Sequence, residues 1–219
     1  MKILGVESSA TAASVAVYSD GKIIAQSFSN TGLTHSQTLL PMIENTLKTA
    51  GVDIEDIDIF AVSNGPGSFT GVRIGVSAVK GMAQPLNKKC ITVSTLEVIA
   101  KPLENTGCLA VSVMDARCNQ VYTALFRCSN NSVERICEDK AISIDELSVM
   151  LSDYKEKIYL VGDGAEICFN AFKEKLSNVI LSGENRRYQR AYGAALAALA
   201  NEKLFENSAL LTPVYLRLP

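Results

Sequence analysis

Short apolar runs separated by turn residues open the chain. Ile3-Leu4-Gly5-Val6 ends in an acid, Glu7; Ala13 to Tyr18 then alternates, Asp20-Gly21 marks a turn, and Lys22 to Phe28 alternates again. A period of two around tight turns predicts a three-stranded meander. From Ser36 to Thr49 the period changes, because Leu39, Leu40, Ile43 and Leu47 recur at helical spacing, with Thr34 or Ser36 able to cap the start. Ile57 to Val62 predicts a strand, Asn64-Gly65-Pro66-Gly67-Ser68-Phe69-Thr70-Gly71 a loop, and Val72 to Ala83 a second helix. Cys90 to Val93 adds a strand and Thr95 to Leu103 a helix.

Around Glu104-Asn105-Thr106-Gly107 the pattern restarts. Cys108 to Met114 is again an apolar strand closed by an acid, Asp115, and Gln120 to Phe126 alternates after it. With an offset of 108 residues, Glu7 falls on Asp115 and Val15 to Val17 fall on Thr123 to Leu125. Predicted elements continue with a strand over Val133 to Ala141, a short helix over Ile144 to Leu151, a strand over Ile158 to Val161, the turn Gly162-Asp163-Gly164, and helices over Ala165 to Lys175 and Ala191 to Glu202. Two copies of a βββαβα unit account for this order, an α/β chain divided into lobes at 1–105 and 106–219.

Composition narrows the function. The 219 residues carry a formal net charge of −2, so there is no cationic surplus with which to displace counterions from phosphates; tight, autonomous nucleic-acid binding is not expected. No apolar run approaches the roughly 20 residues of a membrane span, and Glu7 interrupts the start too early for a signal-peptide core; a cytoplasmic protein without a membrane partner is expected. The six cysteines, Cys90, Cys108, Cys118, Cys128, Cys137 and Cys168, stand singly, and read as reduced, half-buried thiols with no metal site. A single histidine, His35, removes metal sites built on two imidazoles, and without a GxSxG elbow a hydrolytic triad has no frame. His35 is expected to cap or pack at its helix start.

Some residues nevertheless invite chemistry. Gly65 and Gly67 lie in a glycine-rich loop between strand and helix, where bare N–H groups can cradle an anion; the same glycines would equally let the helix pack closely on its sheet, and no GK[ST] follows. Glu7 and Asp115 end the first strands of the two lobes, so both could face a cleft holding a magnesium nucleotide, or each could accept hydrogen bonds from its own turn at Ser8-Ser9 and Arg117. Asp163 reads as a turn residue. Arg186-Arg187-Tyr188-Gln189-Arg190 could touch phosphates or be solvated surface. The helix from Val72 is apolar around most of its circumference, with Gly71, Gly75, Ala78 and Gly81 keeping it thin. A sheet covers one side only, so the other should meet the Leu39-Leu40-Met42-Ile43 surface and a protein partner.

These residues carry a resemblance. Ile3-Leu4-Gly5-Val6-Glu7-Ser8-Ser9, Thr34-His35-Ser36 with Leu39-Leu40-Pro41, Asn64 to Gly75, Met114-Asp115-Ala116-Arg117 with Val121-Tyr122, and Pro213-Val214-Tyr215-Leu216-Arg217 resemble the TsaB, or YeaZ, family over essentially the whole length. GPGSFTGVRIG is its most specific element; Glu7 stands where the family usually has Asp. The resemblance implies two ribonuclease-H-like lobes of the actin, Hsp70 and sugar-kinase superfamily. It also implies a non-catalytic subunit for N6-threonylcarbamoyladenosine at position 37 of tRNA, working as heterodimer partner and activator of TsaD, with TsaE completing the assembly. On that basis there is no cofactor of its own, ATP or ADP is expected only in the TsaD-containing complex, tRNA is met only through the complex, and a homodimer can form where TsaD is absent. The implied contact uses the first lobe's two helices, with Leu39, Leu40, Ile43, Leu47, Val72, Ile74, Gly75, Ala78, Val79 and Met82 as candidates. The competing reading is an autonomous ATP-binding ATPase or kinase-like protein built on Glu7, Asp115, Gly65 and Gly67; a peptidase role finds no chemical support in His35.

Overall fold

The meander forms as the alternation predicts, with β1 (Lys2–Glu7), β2 (Ala13–Ser19) and β3 (Lys22–Ser29) paired antiparallel. Helix α1 (His35–Ala50) follows, then β4 (Ile59–Ser63), α2 (Phe69–Ala83), β5 (Lys89–Val93) and α3 (Thr95–Ala100), which tightens into a 3-10 turn at Lys101–Leu103. The computed structural model describes residues Met1 to Arg217. Its second half runs β6 (Cys108–Asp115), β7 (Gln120–Ser129), β8 (Ser132–Arg135), β9 (Lys140–Ser143), α4 (Ile144–Leu151), β10 (Ile158–Val161), α5 (Ala165–Phe172), β11 (Val179–Leu181), α6 (Glu184–Arg187), α7 (Ala191–Ala200) and β12 (Glu206–Asn207). The short elements β11, α6 and β12 escaped the periodicity, since two to four residues do not complete a period. Helices expected to reach Lys175 and Glu202 stop at Phe172 and Ala200.

Both sheets share one topology. In the first, the order is β12-β5-β4-β1-β2-β3, with β1, β4 and β5 parallel; in the second it is β11-β10-β6-β7-β8, with β6, β10 and β11 parallel and β9 also on β7. The predicted strand from Val133 to Ala141 is two strands. Phe126 pairs with Arg135 and Thr123 with Lys140, so two residues of β7 lie opposite four, and the excess bulges outward. Arg135 closes that bulge by donating to Asp139 Oδ1 at 2.5 Å and resting 4.8 Å over the Phe126 ring. Ser143 and Glu146 then form a capping box that starts α4.

The chain divides into two units, though not at residue 105. One comprises Met1–Val98 and Gln189–Tyr215; the other comprises Ile99–Tyr188 and the described chain end from Leu216. The first unit takes back the tail because its sheet has two apolar faces. Leu4, Val6, Val15 and Val17 pack against α1 and α2, while Ile3, Ile59, Ala61 and Ile91 need a cover of their own. Helix α7, sequence AYGAALAALA, supplies it: alanines and Gly193 let it lie close to the strands.

Register also corrects the internal repeat. Leu109, Val111 and Val113 face α4 and α5, as Leu4 and Val6 face α1 and α2. Val6 pairs with Val15 and Val113 with Thr123, so the 108-residue offset holds for the second strands but is one residue too long for the first. Met114, not Asp115, is therefore the counterpart of Glu7. Since alternate residues take opposite faces, Glu7 points to the α7 side of its sheet and Asp115 to the α4/α5 side of its own.

A Cβ at Gly5 would drive into the Ala191 carbonyl oxygen, a backbone atom that cannot rotate away. Gly5→Ala should therefore cost about 1–3 kcal/mol, read as a lower urea midpoint at unchanged slope.

Candidate functional site

Glu7 is fully buried, and its Oε1 accepts from Ser9 N at 2.6 Å and Ser9 Oγ at 2.5 Å. Ser14, its ladder partner, accepts from Ala191 N at 2.5 Å at the start of α7. These groups close the C-terminal end of β1 from within. Asp115 accepts from Arg117 N at 2.8 Å and faces the Arg117 guanidinium at 3.6 Å. Each acid is thus tied to its own turn, and the two occupy non-equivalent faces of separate sheets. Among the described residues no group of three or more His, Cys, Asp and Glu side chains is arranged to hold a metal ion.

The glycine-rich loop is spent on close packing. Side chains at Gly67 and Gly71 would collide with the carbonyl oxygens of Ser9 and Ser8, while Ser68 N donates to Ser9 O at 2.6 Å and Ser8 Oγ to Gly71 O at 2.9 Å. Ser68 also caps α2, its hydroxyl accepting from Gly71 N at 3.2 Å. Gly65 sits against Val214, whose N–H donates to Asn64 O at 2.7 Å. Ser68 N and Gly71 N, two donors that a phosphate would use, therefore already have internal partners. His35 Nε2 lies 2.7 Å from Ala10 O, which fixes the Nε2–H tautomer and anchors the start of α1.

The run 186–190 is not a continuous basic patch. Arg187 donates to Ser182 O and pairs with Glu166 Oε2 at 3.3 Å, and Arg190, which belongs to the first unit, stacks 4.0 Å over Phe28. Arg186 is exposed. Cys118 is exposed and Cys137 half-buried, while the other four thiols are buried.

What the first unit does present is a face built by α1 and α2. Two open grooves cross it, one of about 540 Å³ bordered by His35, Leu40, Phe69, Arg73, Ile74 and Ala78, the other of about 460 Å³ bordered by Leu40, Glu44, Lys48 and Met82. Leu40 stands between them with 55% of its surface exposed. Of the ten residues expected at this contact, Leu40, Ile74, Ala78 and Met82 reach the surface; Leu39, Ile43 and Leu47 are largely buried but line the grooves, and Val72, Gly75 and Val79 are buried beneath them. Helical spacing alone could not separate the sides, since both are apolar. The structure adds Arg73, which the periodicity passed over. Its guanidinium stacks 3.6 Å from the Phe69 ring centre and its Nε donates to Tyr215 O–H at 2.8 Å, so the Pro213-Val214-Tyr215 ending is clamped against the start of α2.

Comparison with known proteins decides the family. A tRNA threonylcarbamoyladenosine biosynthesis protein TsaB from Buchnera aphidicola subsp. Schizaphis graminum is 30% identical over 166 residues, 74% of this chain and 78% of that protein. The chain belongs to the TsaB family. The TsaB of Escherichia coli is 35% identical over 149 residues, a stretch that spans 67% of this chain and 64% of the relative. The family model for TsaD, tRNA N6-adenosine threonylcarbamoyltransferase, matches residues 25–219, which ties TsaB-family chains to the transferase family. YeaZ from Pseudomonas aeruginosa superposes with a TM-score of 0.83 at 25% identity, covering 98% of this chain and 99% of that one. A ROK hexokinase from Thermus thermophilus shares the fold alone, with a TM-score of 0.52 at 12% identity over 93% of this chain and 99% of that one. The sugar-kinase-like architecture expected for TsaB is thus present, and the protein takes part in threonylcarbamoyladenosine biosynthesis.

Val79 is fully buried among Leu4, Val6 and Val62. Val79→Glu should therefore lose native circular dichroism or fall by about 4 kcal/mol or more in urea, whereas Ile74→Glu should retain the wild-type spectrum and midpoint.

Proposed function

We propose that this chain is the non-catalytic subunit of tRNA N6-threonylcarbamoyladenosine synthesis at position 37, binding and activating TsaD in the cytoplasm, with TsaE completing the assembly. The observation that carries the reading is the α1/α2 face: exposed Leu40 between two grooves, with the accessible parts of Ile74, Ala78 and Met82 around it. Apolar surface of this kind stabilises a complex when a partner removes it from water, and the charged Arg73, Glu44 and Lys48 at its margins suit a rim. The engagement of Glu7 supports the same reading, since its Oε1 already accepts two hydrogen bonds from Ser9. ATP or ADP then enters only with the TsaD-containing complex, and tRNA is met through that complex. In the absence of TsaD the same face would pair with a second copy about a two-fold axis.

Leu40→Glu and Ile74→Glu should each weaken binding to TsaD by about 2 kcal/mol or more, roughly thirty-fold, measured by calorimetry, with an unchanged circular-dichroism spectrum. Threonylcarbamoylation of tRNA in a reconstituted mixture should fall in parallel and stop when the protein is omitted. Full activity without it would overturn the reading. The isolated chain should show no magnesium-dependent ATP binding by calorimetry, and clear binding would instead support an autonomous ATPase.

A further inference from the structure

Cys108 and Cys128 lie directly opposite each other in the antiparallel β6–β7 ladder. Both are buried, at 4% and 1% exposure, and Thr106 Oγ1 lies 3.0 Å from Cys108 Sγ. Directly opposed antiparallel residues have Cα atoms about 4.5–5.5 Å apart, inside the range of about 4.4–6.8 Å that a disulfide spans. The backbone therefore already has the separation the bond requires. This pair also sits at the end of the β6–β7 ladder, where the chain reaches the surface. Exposed Gly107 precedes Cys108, and exposed Ser129, the start of the Ser129–Ser132 hairpin, follows Cys128, so fraying of the last ladder positions gives a small molecule access.

We propose that Cys108 and Cys128 form a modification site, a cross-strand dithiol that a peroxide converts to an intramolecular disulfide. Cys108 acts first: its thiolate attacks one peroxide oxygen, an S–O bond forms as the O–O bond breaks, and the hydroxide released takes up the thiol's proton as water. Cys128 then gives up its proton and attacks the sulfenic sulfur; the S–S bond forms, the S–O bond breaks, and the departing hydroxide leaves as a second water. Two thiols lose two electrons and two protons, and one hydrogen peroxide becomes two waters. The order of attack follows from a hydrogen bond shared by the two thiols, which holds the Cys108 thiol below its ordinary value and pushes that of Cys128 up. Elsewhere burial lifts the thiols of Cys90 and Cys168 to about 11 and about 12, so little thiolate forms there.

Treating the full chain with hydrogen peroxide, alkylating the remaining thiols and mapping peptides tests this. The expected result is loss of two of the six free thiols and of about 2 Da in intact mass. A linked peptide joining Cys108 to Cys128 should appear and be reversed by dithiothreitol. Cys118→Ser should leave the link intact. Cys128→Ser should abolish it and let Cys108 proceed to sulfinic acid. A wild-type map in which Cys108 and Cys128 remain reduced while Cys118 or Cys137 carries the oxidation would overturn the proposal, and it needs no variant to fold.

Discussion

The segment from Gly65 to Gly75 lies backbone against backbone on Ser8 and Ser9, and the placement of α2 follows from that contact. Ser68 N donates to Ser9 O, Ser8 Oγ donates to Gly71 O, and the absent side chains of Gly67 and Gly71 leave room for both carbonyls. At Gly75 a side chain would meet Ser8 Oγ. Held at this distance, α2 buries Val72, Val76 and Val79 against the sheet and turns Arg73, Ile74 and Ala78 outward. The exposed side of α2 is thus a consequence of how the helix is seated.

The same contact also engages donors that a phosphate-binding loop would leave open. A phosphate-binding loop needs free N–H groups at a helix start. Here Ser68 N, Gly71 N and Val72 N are taken by Ser9 O and by Ser68 itself. Glu7 is similarly engaged by Ser9, and Ser14 meets Ala191 N at the opening of α7. These bonds hold β1, the glycine-rich loop and α7 together, while Leu40 of α1 and Arg73 of α2 stay exposed.

Cysteine placement follows a comparable logic. A buried thiol in an apolar layer resists ionisation, as at Cys90 and Cys168. Two thiols paired across a ladder share a proton-donating hydrogen bond, which favours one thiolate at the expense of the other. Sequence spacing gave no warning of this, because 108 and 128 become neighbours only through the register of β6 on β7.

Local pattern alone determined the first meander, the opening hairpin of the second, both of the longer helices, the restart after Gly107 and the GPGSFTG turn, because each rests on periodicity or turn chemistry within about ten to fifteen neighbouring residues. Family membership was legible for the same reason: its motifs are contiguous. Only tertiary structure decided the rest. It returned α7 to the first sheet, since the apolar Ile3 and Ile59 face needed covering by a segment remote in sequence. It placed Val79 inside and Leu40 outside, although both are apolar residues on amphipathic helices. It gave Glu7 and Asp115 non-equivalent faces, each within its own sheet, because a one-residue change of register reverses which face of a strand a side chain takes.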